Sequence, residues 1–272
     1  FWQCSTLTSI RIPEGVTSID YAAFGGCTAL VTVILPDSVK TIDRWAFRSC
    51  ISLTSVTVGS GVEEIMTDAF QGCEKLVEVI NNSRLTIEKK NPENGFLGFY
   101  ALNVKKGGVT DIVNRDGYLF YTYENTRYLL GYVGDGTELV LPEDYNGGTY
   151  EIYPGAFYGR TDLTGVVLSG GVTAVGGSAF YDCRNLAQVT IGNRVTSIGT
   201  TAFCNCMALK TITIPEGVVS IESGAFLNCN RLTSVILPDS VTVIGAGAFQ
   251  ACASLTSVTI GRGVKEIGYE AF

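Results

Sequence analysis

Cysteine has the most reactive side chain among the residues of this sequence that could carry out chemistry. Eight of the nine cysteines occupy one repeating position. In two groups they follow one another at intervals of 23 residues: Cys4, Cys27, Cys50 and Cys73, then Cys183, Cys206, Cys229 and Cys252. A column of thiols could form disulfides, bind a metal ion or carry out redox chemistry.

The geometry of stacked repeats argues against disulfides and metal binding in this column. If consecutive repeats stack in register, equivalent Cα atoms lie about 5 Å apart, which is within the disulfide range. Parallel side chains also keep their Cβ atoms about 5 Å apart, however, whereas a disulfide needs roughly 3.5–4.5 Å and converging side chains. Metal ligands must converge as well. We therefore predict buried, reduced thiols that act as small apolar packing residues, with metal binding and redox chemistry as alternatives.

Other catalytic chemistry has little support in the sequence. Histidine is absent, which excludes Ser-His-Asp and Cys-His catalysis and the usual zinc sites. The remaining candidates are turn carboxylates that share a position in consecutive repeats, Glu14 with Asp37 and Glu216 with Asp239. Stacking would place each pair about 5 Å apart, near the separation in retaining glycosidases. Because these turns offer no pocket, we predict solvated carboxylates, with weak cation binding as an alternative, and no catalytic residue, cofactor or metal site.

Phenylalanine repeats with the same period, and ten of the thirteen phenylalanines occupy one position. They are Phe1, Phe24, Phe47, Phe70, Phe157, Phe180, Phe203, Phe226, Phe249 and Phe272. The consensus is A-F-x-x-C-x-x-L-x-x-V-x-I-P-x-x-V-x-x-I-x-x-x. Its L-x-x-V-x-I part alternates like a half-buried strand, the following residues predict a turn, and V-x-x-I predicts a second short strand. The A-F-x-x-C part predicts a single helical turn.

One such unit cannot bury its own apolar face, so neighbouring units, here called rungs, must stack on each other. The sequence therefore predicts a solenoid whose periodic phenylalanine, cysteine, leucine and valine residues form a continuous core.

The rungs resemble the BspA-like leucine-rich repeats of bacteria, which share the "LTSVTIP..VTSIG..AF..C" pattern. The resemblance covers residues 1–80 and 137–272. It implies a leucine-rich-repeat solenoid that is mainly β, with a parallel ladder of strands, short second strands and single helical turns. It also implies a bacterial cell-surface or secreted protein, because members are typically exported and some adhere to host proteins.

Charge and hydropathy limit the possible partners. The net charge is −7 and the pI about 4.7, and no basic stripe is present, so we expect no nucleic-acid partner. No apolar run approaches the roughly 20 residues that a bilayer requires, so we expect no membrane insertion. The sequence begins and ends within the repeat pattern, which indicates a fragment whose signal and anchor lie elsewhere.

Residues 81–136 interrupt the repeat as an irregular, tyrosine-rich island. Asn81 stands where the pattern needs an aliphatic residue, and residues 117–133 predict a β-hairpin around Glu124-Asn125. We predict one solenoid domain over residues 1–272, in which N-terminal rungs (1–80) and C-terminal rungs (137–272) flank this island.

The rung after the island differs at its cysteine position, where Arg160 stands. This charge breaks the thiol column and indicates that the rung abuts something other than a regular rung.

Two groups of residues are candidates for ligand contact. Tyrosine is favoured at protein interfaces, and the island candidates are Tyr118, Tyr121, Tyr123, Tyr128 and Tyr132. The outward strand positions carry hydroxyls, with Thr57, Thr190, Thr213 and Thr259 as candidates. The alternatives are that the tyrosines pack the island against the rungs and that the threonines are solvated strand residues.

The absence of catalytic residues predicts a non-catalytic scaffold, and the resemblance implies a binding or adhesion role in contact with a host extracellular or plasma protein, or a protein of a neighbouring cell. A glycan- or cell-wall-binding module and a structural spacer without a ligand are the alternatives. An enzyme is the least favoured class, because the acid–base residues are missing.

Overall fold

A computed structural model describes residues 1–272, and the chain divides into two compact units, Phe1–Ile112 (unit 1) and Val113–Phe272 (unit 2). Each unit is a mainly β, parallel solenoid, which confirms the predicted fold class. The one helical segment is a short 3-10 helix, Asn94–Phe96. One solenoid domain over residues 1–272 stays a prediction.

Unit 1 contains two parallel sheets. The three-stranded sheet has the order β1-β3-β5 and the four-stranded sheet the order β2-β4-β6-β7. The strands are β1 Ser18–Ile19, β2 Thr32–Ile34, β3 Thr41–Ile42, β4 Ser55–Val58, β5 Glu64–Ile65, β6 Glu78–Asn81 and β7 Asn103–Lys105.

Unit 2 contains a six-stranded parallel sheet, β11-β13-β15-β17-β19-β21, and a nine-stranded sheet, β22-β20-β18-β16-β14-β12-β10-β9-β8. The strands are β8 Val113–Arg115, β9 Tyr118–Tyr123, β10 Thr126–Tyr132, β11 Glu138–Val140, β12 Tyr150–Ile152, β13 Gly165–Val167, β14 Val172–Val175, β15 Gln188–Thr190, β16 Ser197–Ile198, β17 Thr211–Thr213, β18 Ser220–Ile221, β19 Ser234–Leu237, β20 Val243–Ile244, β21 Ser257–Ile260 and β22 Glu266–Ile267.

The strand ladders keep the register that the 23-residue period predicts. Val33 pairs with Val56, which pairs with Val79, and all three side chains are buried. Because successive side chains of a strand point to opposite faces, the residues directly before and after each of these valines form columns that point outward. The outward columns hold the strand residues that point away from the core.

The A-F-x-x-C segment does not form the expected single helical turn. Ser178 and Asp182, two residues before and two after Phe180, have φ angles of 54° and 61°, which a right-handed helix does not allow. The N–H of Phe180 instead donates to the carbonyl of Ala202 in the next rung, at 2.7 Å. The segment is therefore a tight turn that bonds to its neighbour, and this part of the prediction is wrong.

The predicted hairpin is confirmed. Strands β9 and β10 pair antiparallel and are joined at Glu124 and Asn125, whose φ angles of 48° and 67° fit a type I′ turn. Strand β10 then pairs in parallel with β12, so the hairpin continues the nine-stranded sheet of unit 2.

Asn81 ends the regular rungs of unit 1. Its amide donates to the carbonyl of Leu85 at 2.8 Å, and its side-chain oxygen accepts hydrogen bonds from the N–H and hydroxyl of Ser83. The side chain is buried with these partners, so it organises the turn that leaves the repeat instead of lining the core.

Candidate functional site

The thiol column lies in the core of each unit. Seven of its eight cysteines are buried, which confirms the predicted burial, whereas Cys4 is exposed. Each buried thiol donates to a phenylalanine carbonyl of the preceding rung, as Cys183 does to Phe157 at 3.1 Å and Cys229 to Phe203 at 3.3 Å. Burial raises the pKa of Cys183 to about 12. The thiolate, which is the nucleophile and metal ligand, is thereby disfavoured.

Arg160 replaces a cysteine at the point where the preceding rung has no A-F-x-x-C segment. Its guanidinium donates to the carbonyls of Tyr132 and Gly136, at 3.0 and 3.4 Å, and to the carboxylate of Asp162. The hydrogen bond from Arg160 lowers the pKa of Asp162. The interpretation that this rung abuts something irregular is confirmed, because the longer side chain reaches the end of the hairpin strand β10.

The aspartates of the two predicted carboxylate pairs have structural partners. Asp37 accepts a hydrogen bond from the N–H of Ser60, and Asp239 accepts one from the N–H of Arg262, both at 2.7 Å. The bonds from Ser60 lower the pKa of Asp37. These aspartates therefore fix the turn of the next rung.

No cluster of three or more histidine, cysteine or carboxylate side chains could hold a metal ion. The one helical segment lacks the length and apolar character that crossing a membrane requires.

A regular surface of strand residues lies on the outward side of the six-stranded sheet in unit 2. Register places one residue from each strand in a single exposed column, here called the threonine–aliphatic face: Val140, Val167, Thr190, Thr213, Ile236 and Thr259. Val140 is 65% and Ile236 is 66% exposed. The face combines exposed methyl groups with hydroxyls and carries no charge in this column.

The fourth threonine candidate lies in a different setting. Thr57 of unit 1 pairs with Ile34 on one side and with Ile80 on the other. Thr57 is half-buried and Ile80 is only 2% exposed. The structure therefore brings three of the four threonine candidates together and leaves Thr57 apart from them.

The outward face of unit 1 also holds an ion cluster that sequence reasoning missed. Glu78 is completely buried and accepts a salt bridge from Lys105 at 2.9 Å, while Lys105 contacts Asp111 at 2.6 Å. Desolvation lowers the pKa of Lys105, but the hydrogen bonds to Asp111 and Glu78 outweigh it and leave the pKa raised. No repeat pattern signals this cluster, because two of its members lie in the island.

The five tyrosine candidates are held by packing to different degrees. Tyr121 is 1% exposed, so it packs in the interior, as the alternative to ligand contact predicts. Tyr118 donates to the carbonyl of Val140 at 2.9 Å, and its ring lies 4.8 Å from that of Tyr132. Tyr128 makes an edge contact with Tyr153, and Tyr123 is half-buried. A ligand contact by the four partly exposed rings stays a prediction.

A cluster of surface aromatic side chains in unit 1 was not among the candidates. Tyr21 is 58% exposed and its ring lies 5.3 Å from that of Trp45. The guanidinium of Arg48 lies over the Trp45 ring, 4.6 Å from its centroid. The sequence does contain a signal for this cluster, because Trp45 and Tyr21 are aromatic residues at positions where the repeat consensus has no apolar residue.

Comparison with known proteins identifies related sequences and structures. A model of the BspA-type leucine-rich repeat region, with six copies, matches residues 1–96 and 150–272. The structure is similar to that of a leucine-rich cell surface protein from Faecalibacterium prausnitzii A2-165, with 26% identity, a TM-score of 0.55, and coverage of 93% of this chain and 79% of that one. None of the curated proteins matches the chain.

A second solved structure shows the fold alone. It is a leucine-rich repeat protein from Eubacterium ventriosum ATCC 27560, with 17% identity, a TM-score of 0.50, and coverage of 98% of this chain and 82% of that one.

Proposed function

Because the chain belongs to the family of BspA-type leucine-rich repeat proteins, we propose that it is a non-catalytic binding module of a bacterial cell-surface or secreted protein and adheres to a protein partner. Repeat proteins of this family have binding or scaffold roles and are typically surface proteins. The F. prausnitzii protein with a similar structure is itself a cell surface protein. The proposed partner is an extracellular or plasma protein of the host, or a protein of a neighbouring cell.

The observation that carries this proposal is the threonine–aliphatic face. Exposed aliphatic side chains such as Val140 and Ile236 favour association, since burying apolar surface contributes about 25 cal/mol per Å². The hydroxyls of Thr190 and Thr213 add hydrogen-bonding groups without a charge that must be desolvated. A regular column of this composition suits a protein surface that can cover several rungs at once.

A binding screen tests the proposal. The full chain is immobilised and exposed to host matrix proteins, plasma proteins and glycans, and its folding is checked by circular dichroism and a cooperative melt. Saturable binding of a protein supports the proposed function. Folded protein that binds nothing in the panel would instead support the structural spacer.

A second candidate function, glycan binding, is favoured by the exposed ring of Tyr21 beside Trp45. Aromatic faces stack on the apolar faces of sugars, and Arg48 next to the rings could donate hydrogen bonds to hydroxyl groups. The glycans of the same screen test this candidate, with Tyr21→Ala as the variant that should lose the signal.

A further inference from the structure

The outward side chains at one strand position of the repeat are buried in unit 1 and exposed in unit 2. Glu78-Val79-Ile80 of β6 and Glu138-Leu139-Val140 of β11 occupy the same position in their rungs, with Val79 and Leu139 buried in the core. In unit 1, Glu78 is fully buried and Ile80 is 2% exposed. In unit 2, Glu138 is exposed and Val140 is 65% exposed.

In unit 1 the glutamate is covered by the chain itself. After β7 the backbone turns at Gly107 and Gly108, whose φ angles are 65° and 90°, and residues 107–112, here called the docked segment, pass over the outward face. The N–H of Asp111 donates to both carboxylate oxygens of Glu78, each at 3.3 Å. The carbonyl of Val109 accepts a hydrogen bond from Lys105 at 2.9 Å.

Main-chain groups make much of this contact. The side chain of Val109 is 80% exposed, so its carbonyl and not its side chain is used. An outward glutamate of the repeat can therefore accept a hydrogen bond from the main chain of a segment that crosses this face.

Unit 2 offers matching groups on three adjacent strands. Register aligns Glu138 with Gly165 and Gly165 with Gln188, so the acceptor Glu138 and the amide of Gln188 lie about 10 Å apart across two strand spacings. An extended chain covers this distance in about three residues. Gly165 is buried and has no Cβ, and the side chain of Glu138 packs over it: a Cβ at this position would lie 3.5 Å from the Cγ of Glu138. Val140 and Val167 lie alongside as exposed apolar residues.

We infer that Glu138 and Gln188, with Val140 and Val167, bind an extended segment of a partner polypeptide across the strands, and that Glu138 accepts a main-chain hydrogen bond as Glu78 does from the docked segment on unit 1. Glu138 accepts from a main-chain N–H of the partner, and Gln188 donates to a carbonyl about three residues away. In unit 1 Lys105 forms an ion pair with Glu78, whereas Glu138 in unit 2 forms no ion pair. The partner segment therefore carries a lysine or arginine opposite Glu138 and aliphatic residues beside it. This inference rests on the proposed function and specifies the partner.

Selection from a library of random linear peptides displayed on phage, panned on the full chain, tests the inference. The expected result is enrichment of peptides that combine a basic with an aliphatic residue. Selected peptides, synthesised and titrated, should bind Glu138→Gln about tenfold more weakly, the loss expected for one charged hydrogen bond. Gly165→Gln should also weaken binding, because a side chain at this position would displace the side chain of Glu138 that packs over the glycine. Glu222→Gln, an exposed glutamate outside this face, is the matched control.

Two outcomes would overturn the inference. One is that no linear peptide is enriched; the other is that enriched peptides bind Glu138→Gln and Gly165→Gln as tightly as they bind the original chain. If a folded protein from the binding screen still binds the threonine–aliphatic face in either case, the proposed function stands and only the extended-segment mode is wrong.

Discussion

The rings of Phe203 and Phe226 lie parallel, with centroids 5.3 Å apart and planes inclined by 4°. Phe226 stacks in the same way on Phe249, at 5.2 Å. Each ring thus fills the space between two rungs, and its burial depends on the presence of both neighbours. This relationship explains why the repeat needs phenylalanine at this position in almost every rung.

Replacing one ring inside the stack should be costly. We expect Phe226→Ala to lower the free energy of unfolding by about 3–5 kcal/mol, because it leaves a cavity between two rungs. Urea denaturation followed by circular dichroism measures the loss. Phe272→Ala serves as the control, since Phe272 is 47% exposed and should lose clearly less. Equal losses in both variants would contradict the assignment of the stack as core.

The buried thiols should be chemically silent in the folded protein. Burial raises the pKa of Cys183 to about 12 and that of Cys204 to about 11, so neither forms a thiolate readily. With Ellman's reagent at about pH 8, we expect Cys4 to react in the folded chain. All nine cysteines should react after unfolding in denaturant. Rapid release of several equivalents from the folded chain would show that the thiol column is accessible.

Restoring the consensus residue at position 160 should destabilise unit 2. Arg160→Cys removes the donors to the carbonyls of Tyr132 and Gly136, and we expect a loss of about 2–3 kcal/mol. Hydrogen exchange at the end of β10 should speed up in parallel. Arg184→Ala is the matched control, because Arg184 forms the same kind of pair with Asp182 on an exposed surface and should change little. A more stable Arg160→Cys would contradict this account.

The ion pair under the docked segment gives a prediction with an internal control. Lys105→Met leaves the buried carboxylate of Glu78 without its cation, and we expect a loss of about 3 kcal/mol. Adding Glu78→Leu to that variant should recover much of the loss, because no uncompensated charge is then buried. Chemical denaturation of the single and double variants measures both values. A double variant no more stable than Lys105→Met would show that the charge is not the cause.

The periodic part of the fold could be predicted from sequence because each rung supplies its own evidence. The stack around Phe226, the column around Cys229 and the hairpin at Glu124-Asn125 each rest on residue types with a direct physical preference. Arg160 was informative for the same reason, since it departs from an otherwise constant position.

Features that depend on non-repeating contacts could not be predicted. The left-handed residues Ser178 and Asp182 are not glycines, so nothing in the sequence distinguishes the tight turn from a helical one. The burial of Glu78 depends on Asp111, which lies 33 residues later in the island. Tyr121 is buried by the packing of the island, which a count of tyrosines does not reveal.

The central claim is that the threonine–aliphatic face binds the partner. The most direct test places a charge on this face and measures the affinity of that variant for the protein ligand found in the screen. We expect Ile236→Lys to bind at least about tenfold more weakly, because a lysine placed in an uncharged contact must be desolvated. Val219→Lys, which changes an exposed valine outside the face, should bind like the original chain. Unchanged affinity in a folded Ile236→Lys would contradict the claim and place the binding surface elsewhere.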